Sequence, residues 1–112
     1  DLPLELPPTP TEDFGRSAFH LYSPLLATDR VPFDRDTLRE NLRQGGIGTG
    51  VHFTALHLHA YYRERFGYRG GEFPHAEDIG ARTFSLPLSP RLRDEQVERV
   101  IDTVRSLLRP FS

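Results

Sequence analysis

The sequence contains no cysteine and no lysine, and each absence excludes a class of chemistry. Without cysteine the chain has neither disulfides nor thiolate metal ligands, which fits a reducing compartment and leads us to expect a cytoplasmic protein. All 14 basic residues are arginine, so no lysine amine is present to form a Schiff base with a carbonyl cofactor. Methionine is absent as well, and we expect the chain to be part of a longer protein.

The charge and hydropathy patterns exclude two kinds of partner. The net charge is −2 and the arginines alternate with acidic residues, whereas a nucleic-acid-binding domain usually carries a basic stripe. We therefore expect no nucleic-acid partner. The longest apolar runs fall far short of the roughly 18 residues that a membrane helix needs, so we expect no membrane insertion. With 112 residues, the chain has room for one domain with a core of its own.

The distribution of proline and of apolar residues predicts an arm followed by one domain. Residues 1–16 are proline-rich and aperiodic, which is typical of an arm or linker, here from a missing large domain, and residues 17–112 form the domain itself. Alternating and β-prone segments predict strands, and 3.6-residue periodicity with capping signals predicts helices. The predicted strands are Ser17–Leu26, weakened after Ser23 by Pro24, Ile47–Phe53 and Thr83–Leu88. The predicted helices are 35–44, 56–66, 74–82 and a last one with Asp94 and Glu95 in its first turn and Arg105 and Arg109 in its last turn.

This order, β-α-β-α-α-β-α, predicts an α/β fold. We expect a two-layer sandwich, in which a small three- to four-stranded, mostly antiparallel sheet has helices packed on one side.

Three histidines within eight residues, His52, His57 and His59, are the densest group of functional side chains. A zinc site requires imidazole nitrogens that converge at about 2.0–2.1 Å from one ion. His57 and His59 are two residues apart and would diverge on a helix, so we expect no metal site. Residue statistics alone favour a turn that lines the core. The sequence has no Gly-x-Ser-x-Gly elbow, and the glycines of 45–50 lead into a predicted strand and not into a helix that could bind phosphate.

Several motifs resemble one family closely. They are Gly46-Ile-Gly-Thr-Gly-Val-His-Phe53, His57, Tyr61-Tyr-Arg-Glu-Arg-Phe66, Phe73-Pro74 with Ala76-Glu77, and Ser85-Leu-Pro-Leu88. In this order and spacing they resemble the C-terminal part of the fold-type-I sugar aminotransferases that act on nucleotide-linked keto-sugars. The resemblance covers about residues 17–108 and is strongest to the branch that forms UDP-4-amino-4-deoxy-L-arabinose for lipid A modification.

The resemblance implies an enzyme in which a large N-terminal domain holds pyridoxal 5'-phosphate (PLP) through a lysine. The small domain closes one side of the cleft, and an amino group passes from glutamate to a 4-keto sugar nucleotide. His52 and Phe53 match the family's substrate-facing His-Phe or His-Tyr motif, and His57 matches a second histidine position in the same wall. These three are the expected substrate-binding residues. No catalytic or cofactor-binding residue is expected in residues 1–112, and the full-length enzyme is expected to be a homodimer.

Two other interpretations remain open at this point. The chain could be a stand-alone binding module that kept the small-domain fold and lost catalysis, with the proline-rich segment as a tether. The weaker interpretation is a histidine metal site. In the aminotransferase interpretation, the chain alone is expected to be inactive because it has no lysine.

Overall fold

The computed structural model describes residues 1–8 and 17–112, and the elements below are those of these two ranges. Helices account for most of the regular structure, and the strands are short. The elements in chain order are β1 (Leu4–Glu5), β2 (Leu25–Leu26), α1 (Arg35–Gln44), a 3₁₀ turn (Leu56–Leu58), α2 (Ala60–Phe66), α3 (Pro74–Arg82), α4 (Asp94–Leu108) and a final 3₁₀ turn (Arg109–Phe111). In the described ranges, no helix is both long and apolar enough to cross a membrane.

Helix α1 begins and ends where its capping residues predict. The Asp34 carboxylate accepts a hydrogen bond from the Thr37 amide at 2.8 Å, which satisfies one of the free N–H groups of the first turn. Gly46 follows the helix with a φ of 79°, a conformation that favours glycine and stops the helix. Leu38 and Leu42 lie on one face and are fully buried. The predicted helix 35–44 is therefore confirmed.

Helix α4 packs against α1 and closes the core. The Gln96 side chain accepts a hydrogen bond from the Arg93 amide at 3.0 Å, which fixes the first turn. Further along, Arg99 donates to the Gly45 carbonyl at 3.0 Å and ties α4 to the end of α1. The buried core consists of Leu26, Val31, Leu38, Leu42, Ile47, Phe84, Val104 and Leu108. Because these residues come from nearly the whole length of the domain, the core forms only when distant segments meet.

The predicted helix 56–66 is wrong as a single helix. His59 is extended, with φ −68° and ψ 144°, and it separates the 3₁₀ turn from α2. His57 is buried in that turn, whereas the residues of α2 are half-buried or exposed. In a continuous helix, the buried side of the first turn would continue along α2. The 3₁₀ turn instead has its own orientation, because His57 is buried against Glu77 and Phe73. The predicted helix 74–82 is confirmed as α3, with Pro74 in its first turn.

The sheet is smaller and less regular than predicted. β1 and β2 pair antiparallel, with Leu4 opposite Leu26 and Glu5 opposite Leu25. In place of the further continuous strands, isolated antiparallel bridges join Tyr22 to Leu86, Leu25 to Thr83, and Gly50 to Ser85. Pro24 and Pro87 lack an N–H, so the ladder is interrupted at both segments.

The strand predicted at Ser17–Leu26 begins too early. Ser17–Leu21 is exposed and unpaired within the described residues, and the first bridge is at Tyr22. The alternation of Phe19 and Leu21 with polar neighbours therefore does not correspond to a strand in the structure. Phe19 has a φ of 47°, which an extended strand does not have.

The start of the chain lies against the domain. Pro3 is fully buried, Leu2 and Leu4 pack on the core, and the Pro3 carbonyl accepts a hydrogen bond from the Ala27 amide at 3.0 Å. Arg82 of α3 forms an ion pair with Glu5. Residues 9–16, the rest of the predicted arm, lie outside the described residues. The division of the chain at residue 16 stays a prediction.

Candidate functional site

His52 is held by a chain of two serine hydroxyls. Its Nδ1 lies 2.6 Å from Oγ of Ser85, and that oxygen lies 3.0 Å from Oγ of Ser23. Ser85 is 5% exposed, while the imidazole itself is half-buried. The inner edge of the ring is therefore fixed by hydrogen bonding, and part of the side chain remains open to solvent.

The absence of a side chain at Gly50 makes room for the imidazole. A Cβ atom placed on Gly50 would lie 2.5 Å from Cε1 of His52, well inside van der Waals contact. Gly50 and Ser85 are also bridge partners, with N···O distances of 2.8 and 3.2 Å in the two directions. The backbone pairing of Gly50 with Ser85 therefore positions both residues that contact the His52 ring: Ser85 binds Nδ1, and Gly50 lies against the ring.

Phe53 lies beside His52 and is 71% exposed. The two rings meet edge to face, with centroids 5.0 Å apart. An aromatic ring this exposed has almost no stabilising burial in the chain itself. Together, His52 and Phe53 form a surface with one polar and one apolar part, which can contact a ligand or another protein segment.

His57 is placed differently, since it is only 6% exposed. Its Nε2 lies 2.8 Å from Oε1 of Glu77, and its ring contacts Tyr68 and Phe73 at centroid distances of 6.0 and 4.8 Å. The hydrogen bond from His57, followed by that from the Gly71 amide, holds the pKa of Glu77 below its ordinary value. The structure gives no direct contact between His57 and His52 among the described residues.

Helix α3 connects the surroundings of the two histidines. Gly80 is buried, and a Cβ there would lie 2.9 Å from the Ala55 amide nitrogen and 3.4 Å from the Phe53 carbonyl oxygen. A glycine at this position lets α3 approach the loop after His52 closely. The same helix carries Glu77 to His57, so it positions both the His52–Phe53 loop and the His57 turn.

An aromatic groove opens beside His57. Its volume is about 430 Å³, and its lining is mainly apolar: Leu56, His57, Tyr62, Phe66, Tyr68, Phe73 and Ala76. Between the predicted helices 56–66 and 74–82 the sequence predicts no site, so Tyr68, Glu72 and the contact of Phe73 with His57 were not foreseen. The available signal was a tyrosine and a phenylalanine on either side of Gly70-Gly71.

The one group of possible metal ligands that converges among the described residues is His57, Glu72 and Glu77, whose ligand atoms lie within 4.8 Å of one another. Each carboxylate is already occupied. Glu72 accepts from the amides of Arg69 and Gly70 at 2.8 and 2.7 Å, and these bonds lower its pKa. Hydrogen bonding therefore accounts for this cluster. His59, which the metal interpretation would need, is exposed and lies immediately before α2.

Comparison with known proteins identifies the family. The DegT/DnrJ/EryC1/StrS aminotransferase family matches residues 1–105, nearly the whole chain. The chain belongs to this family. The predicted membership of the sugar aminotransferases is thereby confirmed at the level of the family, and the match includes the His52–Phe53 loop, the His57 turn and Ser85.

Two of the proteins similar to this chain are much longer than it. The spore coat polysaccharide biosynthesis protein SpsC of Bacillus subtilis is 39% identical over 98 residues, which are 87% of this chain and 25% of SpsC. DesV from S. venezuelae, solved in complex with a ketimine intermediate, is 31% identical with a TM-score of 0.78, and the match covers 93% of this chain and 26% of DesV. The chain spans about a quarter of the length of the curated relatives it matches.

A third comparison concerns the fold alone. A putative sugar aminotransferase from Streptococcus pneumoniae, solved in its PLP-form, has a TM-score of 0.79 at 23% identity, with 98% of this chain and 27% of that one covered. The S. pneumoniae protein therefore has the same small α/β fold as the chain.

Proposed function

We propose that this chain is the C-terminal small domain of a PLP-dependent aminotransferase that transfers an amino group from glutamate to a 4-keto sugar nucleotide. Family membership supports this proposal, as do the ketimine complex of DesV and the polysaccharide role of SpsC. Within that class we propose a sugar of lipid A or lipopolysaccharide modification, most closely UDP-4-amino-4-deoxy-L-arabinose, and a homodimeric full-length enzyme that includes a large N-terminal domain.

The observation that carries the proposal is the placement of His52. Its inner nitrogen is fixed by Ser85, the ring lies over Gly50, and the side chain remains half-buried at the surface next to exposed Phe53. An imidazole held in this way can hydrogen-bond to a sugar hydroxyl or a diphosphate oxygen and orient the substrate without taking a proton from it. Phe53 would pack against the apolar face of the same ligand.

His57 has a different role in this proposal. Its Nε2 is bound to Glu77, and its ring is enclosed by Tyr68 and Phe73. It would shape the wall beside the substrate and hold the turn from which that wall is built. Of the three predicted substrate-binding residues, His52 and Phe53 are the two with open surface for direct contact.

The residues present do not fit a covalent site for PLP. The chain has no lysine, so no side-chain amine can hold the cofactor. When bound, PLP carries the amino group between the two substrates. In this proposal that chemistry belongs to the large domain, and residues 1–112 contribute binding and orientation, so the chain alone is expected to be inactive.

Steady-state kinetics of the full-length protein test the proposal. Replacing His52 with alanine should raise KM for the keto-sugar nucleotide roughly ten- to a hundredfold, the loss expected for one hydrogen bond to a charged group, and leave KM for glutamate unchanged. His59→Ala is the matched control, since His59 is exposed in the same segment, and it should change neither constant. Equal loss for both substrates in H52A, or no loss, contradicts the assigned role of His52. A wild-type protein without transaminase activity contradicts the proposed function.

One observation favours a second candidate, a non-catalytic binding module. The aromatic groove of about 430 Å³ is lined by seven residues of this chain and is mainly apolar, as a ligand-binding groove requires. Titration of the 112-residue chain with UDP-sugars, followed by NMR, separates the two. Binding by the chain alone with an affinity equal to that of the full-length protein would favour the module, and much weaker binding by the chain supports the aminotransferase.

A further inference from the structure

We infer that Ser85, supported by Ser23, is a positioning residue that fixes neutral His52 as the tautomer protonated on Nε2. His52 would then present a hydrogen-bond donor, not an acceptor, to its ligand. This inference deepens the proposed function and rests on it for the identity of the ligand. The tautomer itself is a property of the chain and can be measured without substrate.

The partners of the two serine hydroxyls favour Ser85 as the donor to His52. Nδ1 of His52 lies 2.6 Å from Oγ of Ser85, and the tautomer of the ring decides which of the two donates. If Ser85 donates to Nδ1 and Ser23 donates to Ser85, each hydroxyl proton has an acceptor among the described residues. In the reverse direction, the Ser23 proton has no acceptor among them. Ser85 therefore donates to an unprotonated Nδ1, and the ring proton of neutral His52 lies on Nε2.

Ser23 supports this direction of donation. Its Oγ lies 3.0 Å from that of Ser85, so it can donate to the oxygen whose own proton goes to His52. Ser23 lies between two backbone contacts: the Tyr22 carbonyl accepts from the Leu86 amide at 3.0 Å, and the Pro24 carbonyl accepts from the Phe84 amide at 3.3 Å. The serine pair is therefore held in register by the backbone on both sides of it.

The backbone of Ser85 is fixed as well. Its amide donates to the Gly50 carbonyl at 2.8 Å, and its carbonyl accepts from the Gly50 amide at 3.2 Å. Both backbone groups of Ser85 are thus hydrogen-bonded to Gly50. Because Ser85 is only 5% exposed, almost no water can compete for its hydroxyl. A hydroxyl with fixed backbone, little water and one imidazole partner is suited to setting a tautomer.

The consequence concerns ligand recognition. Diphosphate oxygens accept hydrogen bonds and do not donate them, and a carbonyl oxygen of a keto-sugar behaves in the same way. A neutral imidazole with its proton on Nε2 matches these groups. The opposite tautomer would place a lone pair against them and repel them, so the serine pair selects which ligand atoms His52 can contact.

Long-range ¹H–¹⁵N NMR of the 112-residue chain tests the inference, because it distinguishes protonated from unprotonated ring nitrogens. In the wild type at alkaline pH, the two ¹⁵N shifts of His52 should be well separated, with Nε2 protonated. In Ser85→Ala they should move toward each other, which reports a mixture of tautomers. Ser85→Thr keeps the hydroxyl and should restore the wild-type shifts. Ser106→Ala, on the exposed side of α4, is the matched serine-to-alanine control and should leave them unchanged.

Two results would overturn the inference. One is a wild-type His52 protonated on Nδ1, and the other is an S85A variant whose His52 shifts equal those of the wild type. If S85A does not fold, the wild-type spectrum still decides the first point. Ser23→Ala, at a half-buried site, then decides the second by the same shift toward averaged values.

These outcomes are separable from those of the proposed function. A confirmed Nε2–H tautomer together with unchanged KM in full-length H52A would contradict the substrate role and leave the serine contact standing. The reverse combination, a strong H52A effect with His52 protonated on Nδ1, would contradict only the inference.

Discussion

A single carboxylate oxygen of Glu77 accepts hydrogen bonds from His57 Nε2 at 2.8 Å and from the Gly71 amide at 2.6 Å. His57 lies in a 3₁₀ turn, Gly71 in a glycine-rich loop and Glu77 in helix α3. Oε1 therefore joins three segments and, together with Tyr68 and Phe73, fixes the wall on one side of the aromatic groove.

Glu77→Gln should lower the thermal midpoint at neutral pH, since the amide keeps the shape of the side chain and loses its charge. It should also weaken the acid dependence of stability. The folded-state pKa of Glu77 is lowered, so its stabilising contribution is present above the pKa of the unfolded chain and is lost as the pH falls through the folded value. Thermal unfolding from pH 7 down to about pH 3 measures both effects, since this interval brackets the reference pKa of glutamate.

Glu98→Gln is the control for this experiment, because Glu98 is exposed on α4. Its unfolding curve should follow that of the wild type at each pH. A Glu77→Gln protein with the wild-type midpoint throughout the range would show that the contact with His57 and Gly71 adds nothing to stability.

Asp34→Ala should destabilise the domain through the start of α1, because the Thr37 amide would lose its acceptor. Asp34→Asn should retain most of the stability at pH 7, since asparagine is an equally good N-cap. The two variants should differ from the wild type in acid. The Thr37 hydrogen bonds lower the pKa of Asp34, so the wild type loses this contribution as the pH falls, and asparagine does not.

Urea unfolding at pH 7 and in acid measures these differences. An Asp34→Asn protein as unstable as Asp34→Ala at pH 7 would contradict the capping role and indicate that the charge alone matters there.

Gly50→Ala should displace the His52 imidazole, since the added Cβ would lie 2.5 Å from its Cε1. Gly48→Ala is a close control: the same kind of change in the same loop, where a Cβ meets nothing within 4 Å. Neither glycine has a positive φ, so backbone strain does not separate the two variants. We expect the His52 ring resonances to shift in G50A and to stay in place in G48A. Equal shifts in both variants would contradict the close contact between the His52 ring and Gly50.

Local sequence signals predicted the helices well where capping and periodicity agreed. The cap at Asp34, the proline at the start of α3 and the apolar stripe of α4 each determine structure within a few residues, so the bounds of these helices followed from the sequence. The strands did not follow in the same way. Their pairing depends on residues such as Leu86 and Ser85, which are more than 30 positions from their partners. Apart from the two-residue ladder of β1 and β2, it consists of single bridges among the described residues.

Motif spacing determined the family and singled out His52, Phe53 and His57, and the missing lysine determined what these residues cannot do. Tertiary structure alone decided how the three differ. It buried His57 against Glu77, left Phe53 exposed, and placed His52 between a serine and a glycine. The physical reason is that a histidine's role depends on which nitrogen is bound and which is free. That is set by hydrogen-bond partners 20 and 33 residues away, which no local pattern contains.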